Sequence, residues 1–108
     1  MSTRVDEITN RLSRLNETFG QPLVRAFVVW HDEELDDDVA EILYGLPQPV
    51  NDRWDTSELD RYCTAAADAL TDLVAYSYCD FRSESEASDV LESGAENWTP
   101  VRRPLANA

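Results

Sequence analysis

A capped apolar stripe between Asp55 and Cys79 constrains this chain most. Asp55 and Glu58 form an acidic helix start of the D-x-x-E kind. Leu59, Tyr62, Cys63, Ala66, Leu70, Leu73, Val74 and Ser77 then recur at helical spacing, with Asp60, Thr64, Asp68 and Asp72 on the opposite side. The pattern predicts a central helix over 56–79 that buries Leu59, Tyr62, Leu70, Leu73 and Val74. Ala65, Ala66 and Ala67 would let a neighbouring helix approach closely.

Two more segments read as helices. Over 3–19, Val5, Ile8, Leu12, Leu15 and Phe19 form one stripe, begun by Thr3 and Asp6 and stopped by Gly20 and Pro22. Over 34–44, Leu35, Val39 and Ile42 extend a face that Val24, Val28 and His31 also fit, and Gly45 and Pro47 end it. Residues 23–30, Leu-Val-Arg-Ala-Phe-Val-Val-Trp, are rich in strand formers. That segment stays open between helix and a single strand pairing with another chain. The expected fold is mainly α: a small helical bundle over 1–81, with an extended acidic arm over 82–108. The arm ends in Trp98, Pro100, Val101, Arg102, Arg103, Pro104 and Leu105.

Charge narrows the setting. In 108 residues there are 22 acidic side chains against 9 basic ones, all nine arginine, for a net charge of −13. So acidic a surface disfavours direct contact with nucleic acid or an anionic membrane. No apolar run approaches the roughly 20 residues of a membrane-spanning helix, and the stretch from Met1 to Glu7 lacks the apolar block of a secretory signal. Abundant aspartate with no lysine resembles the composition of proteins from extremely halophilic archaea and their viruses. Molar salt shortens the screening length to about 3 Å and relieves self-repulsion. A GC-rich mesophile would also exchange lysine for arginine, and a salt titration separates the two. The expected location is a high-salt cytoplasm or a virion.

Little here points to catalysis. Cys63 and Cys79 on a single helix would be roughly 24 Å apart, beyond disulfide reach, and read as reduced thiols. His31 is the sole histidine, so no zinc spacing exists. The run 32–41 holds seven acids in ten residues, but it has no central glycine and Leu35 and Val39 interrupt it. It reads as the solvated start of a helix rather than a calcium loop. No catalytic residue, metal ligand or cofactor is assigned.

The expectation is a non-enzymatic structural or adaptor subunit working with protein partners, as a homo-oligomer or a hetero-assembly. By architecture alone it is similar to small head–tail adaptors of tailed viruses. The interface residues expected are Val5, Ile8, Leu12 and Leu15 on the first helix, and Trp98, Arg102, Arg103 and Leu105 on the arm. An acidic mimic of nucleic acid, or a regulator binding a basic partner, is the alternative.

Overall fold

The first helix forms as its stripe predicts. α1 (Arg4–Phe19) buries Ile8 and Leu12. Gly20 closes it at φ 74°, a left-handed conformation that glycine adopts without Cβ strain. The computed structural model describes residues 4–47, 53–93 and 97–101. Asn16 ties the helix to the start of the sheet: its Oδ1 accepts from Val24 N at 2.8 Å, and its Nδ2 donates to Val24 O at 3.0 Å.

The sheet begins with a hairpin. β1 (Val24–Asp32) and β2 (Asp37–Leu46) pair antiparallel across a turn in which Asp36 takes φ 51°. The open segment 23–30 is therefore a strand whose partner lies in the same chain. The helix expected over 34–44 is a strand too. Its apolar residues face both ways: Ala40, Ile42 and Tyr44 pack on one side of the sheet and Leu43 on the other. A strand covered on both faces loses the alternation that would have marked it.

The central helix is shorter than its stripe. α2 (Thr56–Ala69) starts at Asp55, whose carboxylate accepts from Ser57 N at 2.8 Å. It ends near Leu70, and after a turn the chain re-enters the sheet as β3 (Tyr76–Ser83), parallel to β2. Leu70 and Val74 are buried, whereas Leu59, Tyr62 and Leu73 are half-buried against the core. The residues beyond Leu73 alternate with period two, placing Cys79 and Phe81 in the core beside α2 while Tyr76 and Tyr78 point out.

The expected arm holds a helix, α3 (Glu84–Ser93), and a two-residue strand, β4 (Thr99–Pro100), paired with Ala26 and Phe27 of β1. The Ser83 hydroxyl accepts from Glu86 N at 3.2 Å, and the Glu86 carboxylate accepts from Ser83 N at 3.4 Å, a reciprocal cap. The expected domain boundary after residue 81 falls inside β3.

The mainly helical reading is thus overturned: the fold is α/β, with a mixed four-stranded sheet in the order β3-β2-β1-β4. α1 and α2 cover the first face. Its centre is an aromatic cluster in which Tyr44 meets Phe81 at 5.0 Å, Tyr62 at 5.8 Å and Phe19 at 6.4 Å between ring centroids. α3 covers part of the second face, where Ala87 packs on Ala26 and Leu43, with Val90, Leu91 and Trp98 around them.

Candidate functional site

Among the described residues the second face is only half covered, and the uncovered half is the candidate site. A bulge at Arg25, between Val24 and Ala26, resets the phase of β1. Phe27 and Val29 thereby join the first-face core, and Val28, Trp30 and Asp32 go to the second face. There β2 contributes Asp37, Val39 and Glu41, and β3 contributes Tyr76 and Tyr78.

Register fixes how these residues meet. Val39 pairs with Trp30 on one side and with Tyr76 on the other; Glu41 pairs with Val28 and with Tyr78. At roughly 4.8 Å per strand, Trp30 and Tyr76 stand about 10 Å apart with Val39 between them. Val39 is fully buried, while Trp30, Tyr76 and Tyr78 are 38%, 48% and 51% exposed. Three of the five large apolar or aromatic side chains that the described residues expose lie on this one patch; Val5 and Leu35 are the other two. Scattered single apolar residues are ordinary on a surface, whereas a contiguous group of aromatics marks a binding face.

The electrostatics are one-sided. The uncovered half carries Asp32, Asp37 and Glu41, and α3 beside it carries Glu84, Glu86, Asp89 and Glu92 with no basic residue. Among the described residues, the two arginines near this face sit at its far end: Arg82 Nε donates to Asp80 Oδ2 at 3.1 Å, and Arg25 lies 3.8 Å from Glu84. α1, on the first face, is balanced: among its described residues Arg4, Arg11 and Arg14 offset Asp6, Glu7 and Glu17.

The turn end of the hairpin holds a separate polar knot. His31 Nδ1 lies 3.0 Å from Asp38 Oδ1 and its Nε2 lies 3.3 Å from Asp36 Oδ1. Arg4 also pairs with Asp38. Hydrogen bonds to Asp38 and then Asp36 raise the imidazole pKa, and those from Arg4 and then His31 lower that of Asp38. Every group here is solvated, and the paired side chains tie the hairpin turn to Arg4 of α1.

Both cysteines are free thiols, and they meet between α2 and β3 because the segment joining them is not one helix. Burial, reinforced by the contact with Cys63, pushes the Cys79 thiol pKa upward. A thiol held protonated in this way is a poor nucleophile. Among the described residues, no group of three or more His, Cys, Asp or Glu side chains is placed to hold a metal ion. No helix among them is long and apolar enough to cross a membrane.

Five of the residues expected at an interface are among those described. Ile8 and Leu12 are fully buried in the first-face core, Leu15 packs against it half-buried, and Val5 is 42% exposed. Trp98 packs against the cluster formed by Ala26 and Leu43 of its own sheet and Ala87 of α3. Arg102, Arg103 and Leu105 lie outside the described residues. Of those that are described, Ile8, Leu12 and Leu15 lie at the first face and Trp98 at the second. The sequence alone reads Trp30, Tyr76 and Tyr78, together with Tyr44, Trp54 and Tyr62, as core or interface aromatics; the alternation Tyr76-Ser77-Tyr78-Cys79-Asp80-Phe81 was the available signal that separates Tyr76 and Tyr78 from the core.

The chain matches no family model, no curated protein and no solved structure.

Proposed function

We propose that this protein is a non-enzymatic interaction module, a structural or adaptor subunit that docks a protein partner on the uncovered half of its sheet. The observation that carries this reading is the exposure of Trp30, Tyr76 and Tyr78 around the buried Val39. Aromatic side chains supply large, rigid contact area at low entropic cost, and they dominate interface energetics. The comparison with head–tail adaptors depends on a helical body bearing a free arm. The mixed sheet removes that basis, so the proposal is framed on the sheet face alone. The composition supports a high-salt setting, in a cell or a virion.

Affinity capture from the protein's own cells, using the wild type and the Tyr76→Ala/Tyr78→Ala double variant, tests the reading. At least one protein should be captured by the wild type and lost with the variant. Identical captured sets would overturn it.

A further inference from the structure

We propose that Cys63 and Cys79 form a reversible redox site: by exchange with a low-molecular-weight disulfide, the two thiols become one intramolecular disulfide that pins α2 to the edge strand β3. The inference stands independently of the docking role proposed above.

The placement of the two residues carries it. Cys63 shares helical spacing with Leu59, Ala66 and Leu70, so it lies on the side of α2 that faces the sheet. Ala66 and Leu70 are fully buried there, and Leu59 packs against the same core. Cys79 shares the first face of β3 with Phe81, and both pack into that core. Aromatic contacts hold the two elements at this point. Tyr62, next to Cys63, stacks on Tyr44 at 5.8 Å, and Tyr44 meets Phe81 at 5.0 Å. The Cys79 thiol donates a hydrogen bond to the Cys63 sulfur. From that contact, side-chain rotation has only a short way to bring the sulfurs to a bond length of about 2.05 Å.

Access and composition fit the same role. Both cysteines are half-buried rather than sealed, and β3 forms one edge of the described sheet. The sequence holds no third cysteine, so either thiol, once oxidised, has a single thiol of its own chain to close upon.

The exchange balances in two steps. The Cys63 thiol gives up its proton, and its sulfur attacks one sulfur of the small disulfide to form a mixed disulfide; the expelled thiolate takes up a proton and leaves as a thiol. Cys79 then gives up its proton, its sulfur attacks Cys63 Sγ, and the second small thiol leaves. Two electrons pass from the pair of protein thiols to the small disulfide, and a dithiol reductant reverses the process. Cys63 goes first because burial holds the Cys79 thiol protonated.

The test exposes the folded full chain to glutathione disulfide, traps remaining thiols with N-ethylmaleimide and measures the intact mass. The protein should lose two hydrogens and keep neither glutathione nor maleimide, and dithiothreitol should restore both thiols. Endoproteinase Asp-N cuts before Asp60, Asp68, Asp72 and Asp80, which puts the cysteines on separate peptides, 60–67 and 72–79. Those two peptides should be found linked. Without its partner, Cys63 in Cys79→Ala should gain glutathione at least about tenfold faster than Cys79 in Cys63→Ala. The thermal midpoint of the oxidised wild type should rise by at least about 5 °C, because a bridge across a loop of about 15 residues constrains the unfolded chain. Two unreacted thiols, two glutathione adducts without a link, or a link between separate chains would each overturn the proposal. So would a link that forms only in urea, or a midpoint that falls on oxidation. These readings need only the wild type, so they hold even if a cysteine variant fails to fold.

Discussion

The Tyr44 hydroxyl donates to the Tyr62 carbonyl oxygen at 2.8 Å, while the two rings stack at 5.8 Å with 23° between their planes. One residue of the sheet thus anchors α2 by a polar and an apolar contact together. Phe19 meets Tyr62 at 5.1 Å from the α1 side, so α1, α2, β2 and β3 all converge on this cluster. Burial pushes the Tyr44 pKa upward, so its hydroxyl stays a donor across the working pH range. Tyr44→Phe should cost about 0.5–1.5 kcal/mol, the net worth of one such bond. Tyr44→Ala should cost about 3–5 kcal/mol through the cavity. Denaturant melts measure both, and a Phe variant as damaged as the Ala variant would contradict this division.

Gly45 matters for the opposite face. A Cβ built there would lie 2.9 Å from Arg25 Nε and 3.1 Å from both Arg25 Cγ and Ala87 Cβ. Arg25 crosses β2 at this point, and α3 rests on it through Ala87. Gly45→Ala should therefore destabilise by about 1–3 kcal/mol, as overpacking does. Amide exchange should show α3 opening first; unchanged protection of α3 would contradict the close approach.

The hairpin turn carries a pH dependence with two limbs. His31 has a raised pKa, so its contribution is complete below the ordinary value of 6.5 and is lost as pH rises through the raised value. Asp38 has a lowered pKa, so its contribution is complete above 3.8 and is lost as pH falls through the lowered value. Between those two ordinary values both contributions are present. His31→Gln should flatten the upper limb of a melting-temperature profile and leave most of the lower limb, which Arg4 also supports. An unchanged upper limb in that variant would remove the role given to His31.

Salt should stabilise the fold. A charge of −13 on 108 residues repels itself at low ionic strength, and screening relieves this while salting-out strengthens apolar burial. The thermal midpoint should climb from about 0.1 M to molar sodium chloride, the range over which the screening length falls from about 10 to 3 Å. A flat or falling midpoint would contradict the high-salt setting.

The sequence showed α1 and the start of α2 because each has a cap or stop and a one-sided stripe. It hid the sheet for a physical reason. β2 is sandwiched, so Ala40, Ile42 and Tyr44 serve one core and Leu43 another, and the run also fits a helix. β3 comes so soon after α2 that Leu70, Leu73, Val74 and Ser77 continue the stripe through a turn. The α3 cap was legible, since Ser83-x-x-Glu86 has the form of a capping box. Its acidic, serine-rich body concealed it. The aromatic half-face became visible only once Tyr76 and Tyr78 were set in register with Val39 and Glu41.

Hydroxyl-radical footprinting of the free chain and of its complex with the captured partner tests the docking face most directly. Trp30, Tyr76 and Tyr78 should react readily in the free protein and lose most of that reactivity in the complex. Val5 and Leu35, exposed elsewhere, should not change. Undiminished labelling of all three aromatic residues in the complex would contradict the assignment of this face.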